Sequence, residues 1–202
     1  MSTCLPRRIC AFCGSSTGHD PRDAEFAATF ARLCVGQGTE IVYGGGSVGL
    51  MGVVADTALA AGGKVIGVIP EFLATRELLH EGLTELHVVS SMHTRKALMA
   101  DLADGFVALP GGLGTFEELF EVLTWAQLGL HRKPVGLLNP RNYFEGFLMQ
   151  VDRAISDGFC RPEHRELFVV DDDPMRLLSR MGTYQPPVLP KWVPAPPRED
   201  VT

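Results

Sequence analysis

Apolar positions along this chain fall into two kinds of run that take turns. Short, nearly continuous apolar runs at 8–13, 41–43, 64–69, 86–89, 106–109, 134–138 and 167–170 are bounded by glycine, proline or polar residues and predict strands. Longer stretches between them carry helical spacing. Residues 21–35 place Phe26, Phe30, Leu33 and Cys34 on one stripe, and Gly36 and Gly38 end it. A second helix, to about Ala61, is rich in alanine and glycine and so can lie close against a sheet. Ser90 or Ser91 is positioned to cap a helix reaching Ala103. Further helices are predicted over 115–130, 143–157 and from Pro174. Residues 71–83 fit neither period and read as a short helix or a lid-like excursion.

Strands alternating with helices in this way predict an α/β fold, a Rossmann-like three-layer sandwich with a mostly parallel sheet of about six to seven strands. At 202 residues the chain is expected to form one domain over 1–184. The remainder, 185–202, contains six prolines and is expected to be an extended, partly disordered tail.

In such a sheet the loops that leave the carboxyl ends of the strands form the binding crevice. Three of these loops are unusual: Gly14-Ser15-Ser16, the glycine run 44–49 that includes Gly45, and 110–115. Bare glycine backbone at a helix start exposes N–H donors with partial positive charge, so the ligand class implied is a phosphorylated small molecule. In Pro110-Gly111-Gly112-Leu113-Gly114-Thr115-Phe116-Glu117-Glu118, Thr115 takes the N-cap position and Glu118 stands three residues on, the capping-box spacing. Glu118 therefore has two readings of equal weight, a carboxylate facing the ligand or a cap for its own helix. Arg95, at the start of the helix after the fourth strand, could grip a phosphate or remain a solvated charge. His93 beside it has no carboxylate partner at a recognisable spacing and reads as structural.

Other motifs narrow the field. Gly44-Gly45-Gly46-Ser47-Val48-Gly49 satisfies GxGxxG but follows the second strand and lacks a well-placed ribose acid, which argues against a dinucleotide site. Gly49 and Gly52 are expected to serve helix–sheet packing. No glycine run is followed by Lys and Ser or Thr, so a P-loop is excluded. Cys10 and Cys13 have CxxC spacing inside a strand with no second pair or histidine, and read as buried apolar residues rather than a metal or redox site. The helix over 115–130 is apolar on too many sides. Phe116, Leu119, Phe120, Leu123 and Ala126 can face the sheet, while Val122, Trp125 and Leu128 point elsewhere, so a homodimer through this helix is expected.

Net charge is −6, with basic residues scattered, which argues against tracking a nucleic-acid backbone. No window reaches the ~18 unbroken apolar residues of a membrane span, and no signal peptide is apparent. The expected location is the cytoplasm.

Cys13-Gly14-Ser15-Ser16, the 44–46 glycines, Ser91-Met92-His93-Thr94-Arg95-Lys96 and the PGGxGTxxE stretch at 110–118 together resemble the LOG family. These are cytokinin riboside 5′-monophosphate phosphoribohydrolases, long mislabelled as lysine decarboxylases. The resemblance runs in order from about residue 8 to 180; Thr94 stands where members often carry Glu. It implies hydrolysis of the N-glycosidic bond of a purine nucleoside 5′-monophosphate to free base and ribose 5-phosphate, without an organic cofactor or metal. By position, Arg95 and Glu118 match the family's catalytic pair. Lys96, Gly112, Gly114 and Thr115 match its nucleotide-binding residues, with Glu77 and Thr124 on the base and sugar side. The alternatives are a broader nucleoside 5′-monophosphate nucleosidase and a non-catalytic carrier on the same fold, like the molybdenum-cofactor carriers. A pyridoxal-phosphate decarboxylase is disfavoured: of the four lysines, only Lys96 lies near the crevice, and nothing marks it as activated.

Overall fold

The computed structural model describes residues 5–74 and 78–188. Strands β1 (Arg8–Phe12), β2 (Glu40–Tyr43), β3 (Val65–Pro70), β4 (Glu85–Val89), β5 (Gly105–Ala108), β6 (Val135–Leu138) and β7 (Val169–Asp171) form one sheet in the order β4-β3-β2-β1-β5-β6-β7. Every neighbouring pair is parallel. The expected α/β sandwich is thus present, with seven strands. Helices α1 (Pro21–Gly36), α2 (Gly49–Ala60), α3 (Met92–Leu102), α4 (Leu113–Gln127), α5 (Glu145–Ser156) and α6 (Pro174–Gly182) cover its two faces.

The layering follows from strand alternation. In β1, Ile9 and Ala11 face the layer of α1, α2 and α6, while Cys10 and Phe12 face that of α3, α4 and α5. A strand with helices on both sides must be apolar at every position, which is why these runs showed no polar alternation. Cys13 falls on the opposite side from Cys10, so the CxxC pair is split between two cores. Both thiols are free and buried, and burial pushes their pKa values up.

The centre of the sheet positions the site. Strand β1 lies between β2 and β5, so the chain leaves β1 toward one edge and returns across it to continue toward the other. The loops after β1 and β5 therefore diverge at the carboxyl end, the place where open parallel sheets bind ligands. Two helices that start there are capped by side chains. The Asp20 carboxylate accepts from the Arg22 N–H at the start of α1, and the Ser91 hydroxyl accepts from the Thr94 N–H at the start of α3.

Several expected boundaries move. Helix α4 starts two residues before Thr115 and ends at Gln127, because Leu128 caps it and Gly129 turns the chain with a left-handed φ of 76°. Val122 packs into the sheet-side core, whereas Phe120 is 49 % exposed, reversing the faces expected for these two residues. The last strand comes two residues later than expected because Pro162–Leu167 coil into a 3-10 helix. Of the proline-rich tail, Pro186 and Pro187 lie half-buried beside Gly129 and Leu167; residues 189–202 lie outside the described residues.

Candidate active site

The three glycine loops interlock. Gly14 N–H donates to the Pro110 carbonyl at 3.0 Å, and Leu50 N–H to the Gly14 carbonyl at 3.0 Å. Two glycines make this approach possible. A Cβ on Gly111 would stand 2.7 Å from the Gly14 nitrogen, and one on Gly49, whose φ is 61°, would stand 2.2 Å from the Ser15 carbonyl carbon. Gly52 is similarly committed, but to the loop before its own helix and not to the sheet: a Cβ there would stand 2.1 Å from the Ser47 oxygen.

Together the loops enclose a cavity of about 420 Å³. Ser15, Gly112, Gly114 and Thr115 are among the residues that line it. At the start of α4 the N-cap is Gly112, not Thr115, and among the described residues no side chain caps the helix. The first intrahelical bond runs from Phe116 N–H to the Gly112 carbonyl at 3.2 Å, which leaves the N–H groups of residues 112–115 without a partner among the described residues. The capping-box reading of Glu118 thereby falls. The helix begins at Leu113, which places Glu118 at its sixth residue, beyond reach of the cap.

Glycine at 112 and 114 has no internal reason. Among the described residues a Cβ at either position meets no atom within 4 Å, and φ at Gly112 is −93°, open to any residue. Their bareness keeps the cavity floor clear.

The catalytic candidates stand across this floor. The Arg95 Nε–H donates to the Val68 carbonyl at 3.1 Å, and an Nη lies 3.4 Å from Glu118 Oε1. Both side chains are only 11 % exposed. Burial raises the Glu118 pKa to about 7, although Arg95 pulls it down. The pair is thus a contact between a fixed cation and a carboxyl poised between its two states at neutral pH. Gly44 belongs to the same arrangement, since a Cβ there would lie 2.0 Å from an Arg95 Nη.

The lining also has an apolar set, Val48, Met51, Ile69, Leu73 and Leu78. Leu73 and Leu78 come from the irregular 71–83 segment. Its far part is strapped onto the second glycine loop, with Ser47 N–H donating to the Leu78 carbonyl at 2.8 Å and His80 N–H to the Gly45 carbonyl at 3.1 Å. Sequence reading missed this wall, since neither leucine sits in a periodic element; the signal was their place after a strand's carboxyl end.

The remaining expected residues divide. Gly45 turns the backbone at φ 76° while its neighbours Gly44 and Gly46 line the cavity. Lys96 does not reach the cavity. It pairs with Glu117 and, at 3.1 Å, with Glu121, and these bonds outweigh its desolvation and leave its pKa raised. Lys96 therefore ties α3 to α4. Thr124 is exposed, does not line the cavity, and donates its hydroxyl to the Phe120 carbonyl at 2.7 Å. His93 is exposed, and Glu77 lies outside the described residues. Among the described residues no cluster of His, Cys, Asp and Glu is arranged to hold a metal.

With this geometry in view, known proteins supply a comparison. The sequence model of a family described as "Possible lysine decarboxylase" matches residues 51–181. The chain is 49 % identical over 180 residues to a probable cytokinin riboside 5′-monophosphate phosphoribohydrolase of Oryza sativa subsp. japonica, covering 89 % of this chain and 79 % of that one. It is 48 % identical to a cytokinin riboside 5′-monophosphate phosphoribohydrolase of Arabidopsis thaliana, covering 89 % and 83 %. Among solved structures, the molybdenum cofactor binding protein of Rippkaea orientalis superposes with a TM-score of 0.66 at 21 % identity over 88 % of this chain and 96 % of that one. The molybdenum cofactor carrier protein of Chlamydomonas reinhardtii gives 0.63 at 22 % identity over 87 % and 94 %. At that identity, the two structures show a shared fold.

Proposed function

We propose the reaction of this chain from the premise that it belongs to the LOG family, the cytokinin riboside 5′-monophosphate phosphoribohydrolases. It hydrolyses the N-glycosidic bond of purine nucleoside 5′-monophosphates, cytokinin forms and AMP among them, to free base and ribose 5-phosphate. One observation carries this reading: a buried Arg95–Glu118 pair lines the same cavity as a helix start whose backbone donors have no partner among the described residues.

The donors of residues 112–115 and Ser15 take the 5′-phosphate. The apolar wall from Val48 to Leu78 takes the base, and its aliphatic side chains suit an alkylated adenine. The ribose then lies over Glu118. As the C1′–N bond breaks, its electron pair leaves with the base and the sugar becomes oxocarbenium-like. The Glu118 carboxylate stabilises that cation and accepts a proton from the water whose oxygen bonds to C1′; a pKa near 7 suits a general base at neutral pH. The Arg95 guanidinium anchors the substrate and stabilises charge developing on the departing base, which takes up through solvent the proton released from the water by way of Glu118. Binding energy from the remote phosphate holds the sugar in place, so the unphosphorylated nucleoside is a poor substrate.

Lysine decarboxylation does not suit this site. Among the described residues no lysine lines the cavity, since Lys96 is held by Glu117 and Glu121 and Lys133 donates to the Ala100 carbonyl. The test is release of adenine from AMP, with Glu118→Gln as the blank and adenosine as the comparison. Equal turnover of adenosine and AMP, or full activity in the blank, overturns the reading; binding of AMP without release supports a carrier instead.

The same reading includes a second copy of the chain. Phe120, Leu128 and Leu130, on and just beyond α4, are 49 %, 67 % and 70 % exposed, and a homodimer through this helix covers them. A monomer by light scattering at micromolar concentration overturns that part.

A further inference from the structure

The segment after β6 makes a contact with the phosphate turn that the reaction scheme does not use. Two consecutive residues there, Arg141 and Asn142, have left-handed φ values of 53° and 59°. Such backbone persists only when its surroundings hold it. Here the Arg141 guanidinium pairs with Asp23 at 2.8 Å and Asp20 at 3.6 Å, and the buried Asn139 side-chain oxygen accepts from Phe144 N–H at 2.6 Å. This pinned loop presents Tyr143. Its ring stacks on Phe116 of α4, with centroids 6.5 Å apart and planes 7° apart, and meets Phe144 edge-on at 5.1 Å. Its hydroxyl donates to the Gly111 carbonyl oxygen.

That bond fixes more than the carbonyl. In a planar trans peptide the C=O and the following N–H point in opposite directions. Holding the Gly111 carbonyl toward Tyr143 therefore turns the Gly112 N–H the other way. Tyr143 lines a smaller cavity, of about 210 Å³, which meets the main one at Ser15 and Gly112. The Gly111–Gly112 peptide sits between two glycines, where rotation meets little steric resistance. The phenol is the only partner of the Gly111 carbonyl among the described residues.

We infer that Tyr143 is a positioning residue for the phosphate, its hydroxyl locking the Gly111–Gly112 peptide so that the Gly112 N–H faces the ligand. The inference rests on the reading that residues 112–115 hold the 5′-phosphate. Tyr143→Phe tests it, because the variant keeps the ring stacked on Phe116 and loses only the hydroxyl. Calorimetric titration of the wild type and the variant with ribose 5-phosphate, and separately with ribose and with adenosine, supplies the readout. The variant is expected to bind ribose 5-phosphate about five- to tenfold more weakly, the size of one lost hydrogen bond, with adenosine affinity changed less than about twofold. With AMP as substrate, KM rises by a similar factor while kcat holds. Unchanged ribose 5-phosphate affinity overturns the inference, and so does equal weakening toward both ligands, which marks a general structural role. If the wild type itself does not favour ribose 5-phosphate over ribose, the phosphate reading fails first, and the two failures are told apart.

Discussion

The glycine loops after β2 and β5 look alike in sequence and differ in what their glycines do. In the 44–49 loop the glycines are required by the protein's own atoms. Gly45 and Gly49 take left-handed φ values, Gly46 lies against Met51, and Gly44 lies under the Arg95 guanidinium. In the 110–115 loop only Gly111 is committed this way, while Gly112 and Gly114 face open cavity. The first loop is scaffold that shapes the site from behind; the second is surface left bare for a ligand. Substitutions that read the same on paper should therefore fail in different ways.

The largest effect is expected from Gly49→Ala. The new Cβ meets backbone of Ser15 and Ser16 at 2.2–2.3 Å at a φ of 61°, and neither strain can be relieved by a rotamer change. A loss of roughly 3 kcal/mol is expected, read as a lower midpoint in urea. A variant as stable as the wild type would break the assignment of this loop to scaffold.

Gly44→Ala sharpens the comparison within that loop. Its Cβ collides with the end of a flexible side chain rather than with backbone, so the protein folds while the Arg95 guanidinium moves off Glu118. Turnover of AMP is expected to fall about a hundredfold with little change in melting temperature, as displacements near 1 Å at a reacting centre do. Retained activity would show that Arg95 acts from elsewhere.

A third expectation concerns the carboxyl that the two loops enclose. Glu118 titrates near 7 in the folded chain against an ordinary value of 4.5, so folding favours its protonated form. Stability from this group is fully present below pH 4.5 and is lost as pH rises through 7. Glu118→Gln cannot ionise and escapes that loss. The variant should therefore gain up to about 3 kcal/mol relative to the wild type between pH 4.5 and 8, seen by comparing urea midpoints across that range. In the wild type, kcat/KM for AMP should fall on the acid side with an inflection near 7. A constant stability difference across the range would mean that Glu118 is ionised throughout.

How much of this was legible in the sequence follows from what each feature depends on. Strand and helix order came from local period, and the meeting of the three loops from topology. Arg95 and Glu118 stood out because their motifs lie at strand ends. Three things were hidden. The helix start at Leu113 is set by a turn whose conformation no periodicity reports, so Thr115 looked like a cap. Lys96 matched a nucleotide-binding position of the family, and its ties to Glu117 and Glu121, one helical turn apart on another element, are set only by packing. The apolar wall and Tyr143 come from irregular segments whose role is set by what they touch.

The smallest effect on the fold belongs to Gly112→Ala, and it decides what the open glycines are for. With no atom of the described residues within 4 Å of the new Cβ and φ at −93°, the substitution should leave stability within about 0.5 kcal/mol of the wild type, or raise it slightly by restricting the unfolded chain. The methyl group nevertheless occupies space beside the unpaired N–H groups of residues 112–115. KM for AMP is then expected to rise about tenfold, the size of one displaced hydrogen bond, while adenosine binding changes little. The informative quantity is the pairing of unchanged urea midpoint with raised KM. A glycine required by the fold loses both together, as expected for Gly49, and a glycine of no consequence loses neither. Only one kept bare for an anion separates them, so a Gly112→Ala variant with wild-type KM would place the phosphate away from the start of α4.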